Sequence, residues 1–215
     1  MGDVMTEDSS EVAELLQRAT LGDEEALRAV FSRHHDRLKR MVHLRLSRRL
    51  QGRVADSDVL QEAYLDIARR LDEYVQAPVL PFFLWLRHMT CLKLAEVHRR
   101  HLGTQLRDLD REVTLHRGGL PLADSVSLAA QLLGTLTTPS QAVIKAETRL
   151  LVQEALNSMD PIDREVLALK HFEQLSTAEI AEVLGLSKAG AGSRYLRAIK
   201  RLREILSRIP GFEAF

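Results

Sequence analysis

The chain has 215 residues, 45% hydrophobic and 28% charged, enough apolar material for a packed core and inconsistent with global disorder. Thirty basic and thirty acidic side chains cancel, which argues against an indiscriminate nucleic-acid coat protein. The single cysteine, Cys91, rules out an internal disulfide or a multi-cysteine zinc site, and no apolar run approaches the ~18 residues of a membrane span. Residues 1–11 are acidic and polar, without the basic and apolar regions of a secretory leader, so a cytoplasmic protein is expected.

Periodicity is helical, with no run of alternating apolar and polar residues. Val12, Leu15 and Leu16 mark a short helix stopping at Gly22. Asp23 can cap a second, whose apolar positions Leu27, Val30, Phe31, Leu38, Met41 and Val42 keep i, i+3, i+4 spacing. Gly52 punctuates, and Asp56 is a candidate cap for a third helix through Val59, Leu60, Ala63, Ile67 and Leu71. Pro78 and Pro81 break the chain, predicting an ordered loop over 75–80. A strongly apolar fourth helix begins near Phe82 and ends on Arg99-Arg100-His101, cations suited to the negative pole of the helix dipole. Phe82, Phe83 and Trp85 are read as core, and Cys91 as a buried small residue.

From 103 to 138 periodicity weakens, and Gly118-Gly119, Pro121, Gly134 and Pro139 are linker chemistry around one short helix at 128–133. Helix resumes over 142–158 and again after Asp160-Pro161, with proline at a first helical position. Ser176 and Glu179 form a capping box, Gly185 suits a left-handed C-cap, and Ser187 caps a longer helix. Its core face is predicted to be Tyr195, Leu196, Ile199 and Leu202, leaving Lys188, Arg194, Arg197, Lys200 and Arg201 outside. A short helix, a glycine turn and a basic second helix are the parts of a helix-turn-helix; an ordinary helical hairpin has the same spacing. Charge is segregated: seven Lys/Arg face only Glu204 over 188–208, and eight face only Asp36 over 33–53. Phosphate on one surface and a protein on another would suit this distribution, as would solvated helix faces.

Residues 147–206, with Ala155-Leu156-x-x-Met159, Arg164-Glu165-Val166-Leu167, Leu175-Ser176-x-x-Glu179-Ile180-Ala181 and Ser193-Arg194-x-x-Arg197-Ala198, resemble region 4 of the sigma-70 family. Asp58-Val59-x-Gln61-Glu62 followed by Tyr64, Ile67 and Leu71 resembles region 2.2, and Phe83-x-Trp85-Leu86 before a basic helix resembles regions 2.3 and 2.4. Two such units around a short linker are similar to the extracytoplasmic-function (ECF) sigma factors. The resemblance implies an all-α fold of two helical domains, region 2 over 11–103 and region 4 over 141–208, joined by a linker over 104–140. It implies a non-enzymatic initiation factor that binds core RNA polymerase, at the clamp helices of the largest subunit and at the flap, and promoter DNA. An anti-sigma factor is a further partner the resemblance allows; no membrane, metal or cofactor is expected.

By the same resemblance, Asp58, Gln61 and Glu62 are the expected polymerase contacts. Arg87, Lys93, Arg99 and Arg100 are the expected cations at the promoter −10 element, with the loop over 75–80 setting specificity. Lys188, Ser193, Arg194, Arg197 and Arg201 are the expected contacts at the −35 element. This sequence departs from the family pattern at Ala189-Gly190-Ala191-Gly192, where the recognition helix begins. Small residues there predict few base-edge contacts and a larger share of shape readout. A stand-alone helix-turn-helix regulator is the alternative, explaining only the C-terminal motifs. Enzyme signatures such as H-E-x-x-H are absent, and a P-loop fails because Ala191-Gly192 stands where Lys-Ser/Thr is needed.

Overall fold

The computed structural model describes residues 4–102, 115–116, 120–136 and 142–207. Four helices form the N-terminal part: α1 (Val4–Thr20), α2 (Glu24–Arg45), α3 (Asp56–Gln76) and α4 (Phe82–Leu102). Gly22 turns the chain with φ +90°, and Asp23 caps α2 by accepting the Ala26 N–H at 3.0 Å. Asp56 does not cap α3. Ala55 holds the cap position, and Asp58, three residues on, accepts the Ala55 N–H at 3.2 Å; Asp56 instead meets His43 Nδ1 at 3.0 Å. An acid inside the first turn can satisfy the free N–H, so the position before the helix need not.

Helix α3 runs through Val75 and Gln76, which shortens the expected loop to residues 77–81. Aromatic packing pins that loop: Tyr74 donates to the Leu80 carbonyl at 3.0 Å and stacks on Trp85 at 4.5 Å between ring centroids. Phe83 is buried as expected; Phe82 and Trp85 are only partly covered. Helix α4 is buried nearly all round, with Leu86, Met89, Leu94 and Val97 inside and Cys91 against the Met41 sulfur at 3.6 Å.

Two two-residue strands, β1 (Leu115–His116) and β2 (Leu120–Pro121), pair antiparallel, and with an isolated bridge between Gln51 and Val54 they depart from the expected all-α structure. The expected linker loops at 103–114, 117–119 and 137–141 lie outside those residues. Helix α5 (Ser125–Leu136) is longer than the 128–133 expectation and contains Gly134. Asp124 starts it by accepting the N–H groups of Val126 and Ser127 at 3.1 and 3.0 Å.

Helix α6 (Ala142–Asn157) follows, then α7 (Pro161–Leu167), capped by Asp160 on the Ile162 N–H at 2.8 Å. A π-helical turn, Ala168–Phe172, leads to α8 (Thr177–Leu184) and α9 (Lys188–Leu206). One apolar cluster joins Leu38, Val59, Ile67, Leu86 and Leu94 of the N-terminal helices to Val166, Leu169, Leu175, Ile180, Leu184 and Ala191. A second joins Leu44 of α2 to Leu128, Leu156, Leu167, Ala198 and Leu202. The two helical units therefore pack against one another, with α5 seated between them.

Candidate nucleic-acid interface

Local chemistry builds the α8–α9 unit. Ser176 Oγ accepts the Glu179 N–H at 3.2 Å, while Glu179 accepts the Ser176 N–H at 2.7 Å. Gly185 closes α8 at φ +61°, the left-handed conformation that costs glycine least, and Ser187 Oγ accepts the Gly190 N–H at 3.0 Å. The inner stripe of α9 is Ala191, Tyr195, Ala198 and Leu202, a 4-3-4 spacing; Ala191, Ala198 and Leu202 are buried and Tyr195 is partly covered. Leu196, expected in the core, is 66% exposed. Alanine at 198 lets the helix sit close to its neighbours, and the stripe through it turns Leu196 outward.

The outer stripe holds Lys188, Ala189, Ser193, Leu196, Arg197 and Lys200, all exposed. Arg201 is exposed too, 3.7 Å from Glu204. Arg194 differs from the expectation: it is partly buried and donates to Asp163 at 2.7 Å, with Asp160 at 3.5 Å, tying α9 to the start of α7. The small-residue run is also not one surface. Ala191 is core, and a Cβ on Gly192 would lie 3.8 Å from Thr177 Cγ2, so only Ala189 of the four is fully exposed.

The cations of α4 are disposed otherwise. Arg87 is 5% exposed and ion-paired to Glu173 at 2.6 Å and Glu165 at 3.3 Å. Lys93 is 9% exposed and bridges Asp66 and Glu96, each at 2.7 Å. Neither is open to a nucleic acid in this arrangement, because apolar packing surrounds the helix and carboxylates compensate the buried charge. Arg100 is exposed but clamps Glu62 at 3.0 Å and Glu96 at 2.8 Å, whose hydrogen bonds hold its guanidinium above the ordinary value. Arg99 alone of the four is exposed with no ion pair among the described residues.

On α3, Asp58 and Gln61 are exposed, while Glu62 is half-buried and held by Arg100. Gln61 borders an open groove of about 550 Å3 between α2 and α3, walled by Phe31, Leu60, Tyr64 and Leu65. Leu65 is 54% exposed at its rim.

A second constellation was not anticipated. Arg45 of α2 and Arg87 of α4 face Glu165 of α7 and Glu173 after the π-helical turn, all buried. Arg45 pairs with Glu165 and, at 2.5 Å, with Glu173. Burial by itself raises the Glu173 carboxyl, but Arg45 and Arg87 outweigh it and hold the group below the usual carboxylate range. The sequence signal was a charge set inside an apolar run, at Leu44-Arg45-Leu46 and at Glu165-Val166-Leu167.

The α8–α9 unit, with its capped turn and outward cations, is a helix-turn-helix. Residues 149–202 match the family described as "Sigma-70, region 4". The ECF RNA polymerase sigma factor BldN of Streptomyces coelicolor is 21% identical over 199 residues, 93% of this chain and 67% of that protein. An RNA polymerase sigma-E factor of Streptomyces antibioticus is 43% identical over 58 residues, 27% of this chain and only 32% of its own length. A solved structure of CnrH in complex with the cytosolic domain of CnrY superposes with a TM-score of 0.56 at 23% identity, covering 92% of this chain and 98% of that one, a likeness of fold. Residues 149–202 thus match sigma-70 region 4, and over most of its length the chain is similar to ECF sigma factors. Among the described residues no helix is long and apolar enough to cross a membrane.

Proposed function

We propose that this protein binds core RNA polymerase through α3 and directs promoter-specific initiation, with residues 11–103 and 141–208 acting as regions 2 and 4 around a linker over 104–140. The observation that carries the reading is the α2–α3 groove, where Gln61 stands beside apolar walls and the exposed Leu65. A polar residue at the edge of an open apolar groove gives a partner helix both area and register. A stand-alone helix-turn-helix regulator has no use for that groove. On α9, Lys188, Ser193, Arg197 and Arg201 are the proposed −35 contacts, with Arg194 as a positioning residue. At −10, Arg99 and Arg100 are the available cations, beside the loop over 77–81.

Gln61→Lys and Leu65→Glu change exposed side chains, so folding should survive them. Both should abolish co-elution with core polymerase on size exclusion while helicity and melting stay as in the parent. Assembly that persists in both variants removes α3 from the polymerase interface.

A further inference from the structure

The second apolar cluster encloses a cavity of about 110 Å3. Leu128 and Leu132 line it from α5, Leu156 from α6, Leu167 from α7, and Ile199 and Leu202 from α9. Leu128, Leu156, Leu167 and Leu202 are buried, whereas Leu132 and Ile199 are only partly covered, so the cavity reaches the surface on their side. His171 and Phe172 complete the lining there, and His171 is its one polar side chain.

Two observations separate this space from an ordinary packing gap. Protein interiors hold few spaces larger than a water molecule. This one has room for several, yet it offers a single polar side chain where each buried water needs about two to four partners. It is built for an apolar occupant. The chain also leaves the α-helical pattern beside it, in the π-helical turn Ala168–Phe172, which ends on the two lining residues His171 and Phe172. Such turns are rare and occur frequently at functional sites. His171 is held in place, its Nε2 3.4 Å from the Tyr195 hydroxyl and the two rings 5.7 Å apart. Burial, and after it the charge of Lys170, lowers its pKa, so the imidazole is neutral near pH 7.

The geometry points to a binding site for a small neutral aromatic alcohol of the size of phenol, its ring among the leucines and its hydroxyl at His171. Size sets the first part of this choice. An apolar cavity of about 150 Å3 takes up benzene, so a smaller one with an open mouth accepts a single ring and little more. Polarity sets the second. A carboxylate or ammonium group would lose its hydration against aliphatic walls, with no charged side chain in the lining to compensate it. One ring and one hydrogen bond are what the lining complements. The ligand would touch Ile199 and Leu202 on the inner side of α9, while Arg197 and Lys200 are exposed on its outer side, about one helix diameter (~10 Å) away. This site is separate from the α2–α3 groove and stands whether or not the initiation-factor reading holds.

Leucine-methyl NMR on the full-length chain tests the site, with benzene and phenol as probes. Phenol should shift the methyls of Leu128, Leu156, Leu167 and Leu202 saturably and leave those of Leu38, Leu86 and Leu94, in the other cluster, unmoved. One net hydrogen bond should make phenol bind about threefold to tenfold more tightly than benzene. His171→Leu should keep benzene binding and remove that preference. Leu132→Phe fills the cavity and should abolish binding of both probes, with helicity by circular dichroism as in the parent. Should that variant fail to fold, Ile199→Phe takes its place. No saturable shift with either probe, or shifts undiminished in the folded, filled variant, overturns the site. Shifts spread over both clusters would show general partition of the probe into apolar regions and overturn it too. A phenol preference that survives His171→Leu overturns the choice of an alcohol.

Discussion

Helices α4 and α9 have similar lengths, 21 and 19 residues, and both are rich in cations, yet they use them in opposite ways. On α4, apolar residues occupy almost every direction, so Arg87 and Lys93 are drawn inside and matched by carboxylates. On α9 a narrow stripe of two alanines, Tyr195 and Leu202 faces inward, and Lys188, Arg197 and Lys200 remain in solvent. What decides whether a cation serves folding or phosphate binding is the width of the apolar face beneath it.

The sharpest way to break this contrast is at Arg87. Alanine there leaves Glu165 and Glu173 short of one cation in the interior, which should cost the packed arrangement about 3–5 kcal/mol. Calorimetry should show a lowered or split melting transition. Arg197→Ala should leave melting unchanged, weaken binding to all −35 sequences alike and reduce the salt slope by about one counterion. A transition unaltered by Arg87→Ala would mean that the arginine is solvated in solution, as its counterparts on α9 are.

A second test uses the buried base of α4. His98 is 4% exposed, its Nε2 accepts the Ser47 N–H at 3.1 Å, and burial pushes its pKa down to about 4. The fold therefore holds it neutral, while the unfolded chain takes up a proton below about 6.5. This contribution is complete above pH 6.5 and is lost as pH falls towards 4: about 3 kcal/mol in total, of which about 2 is gone by pH 5. His98→Gln keeps an acceptor for Ser47 and removes the titration, so its stability should fall less than the parent's between pH 7 and 5. Parallel pH profiles for the two proteins would show that His98 titrates normally.

Legibility in the sequence followed the range of the interaction. Asp23, Asp160, Ser176 with Glu179, Gly185 and Ser187 all act within a few residues of themselves, and each cap lies where local chemistry places it. Arg45 meets Glu165 across 120 residues and Arg87 meets Glu173 across 86, and nothing in a local window pairs them. A helix that is apolar all round, such as α4, also has no phase from which to read inside and outside. On α9 the expected Tyr195, Ile199 and Leu202 do pack inward and only Leu196 departs, because alanine gives a weaker apolar signal than leucine although Ala198 is the better fit to a close helix contact.

A smaller effect separates positioning from contact at Arg194. Its partly exposed pair with Asp163 should be worth up to about 1 kcal/mol, so Arg194→Ala and Asp163→Asn should lower stability by similar small amounts. Both should weaken −35 binding equally if Arg194 works by holding α9 on α7. DNA binding lost in Arg194→Ala and kept in Asp163→Asn would make the arginine a direct contact, and α9 would then carry its cations outward without exception.

The smallest effects are expected at the two glycines of α9, and they should differ from each other. Alanine is favoured over glycine in a helix by about 1 kcal/mol. At Gly192 an added methyl would make an ordinary contact, 3.8 Å from Thr177 Cγ2, so Gly192→Ala should realise most of that gain. At Gly190 the methyl would lie 3.0 Å from Ser187 Oγ, the atom that accepts the Gly190 N–H. The cap must shift to admit it, and a lost cap costs about 1 kcal/mol, so gain and loss should nearly cancel. A double-mutant cycle reads this directly: Ser187→Ala should cost less in the Gly190→Ala background than in the parent, whereas the Gly192→Ala background should leave its cost unchanged. Because Gly192 faces Thr177 and the cationic stripe lies elsewhere on α9, Gly192→Ala should also leave −35 affinity as it was. If that single methyl weakens DNA binding while raising the melting temperature, the DNA approaches α9 over its glycine side, and the stripe from Lys188 to Lys200 is not the docking face.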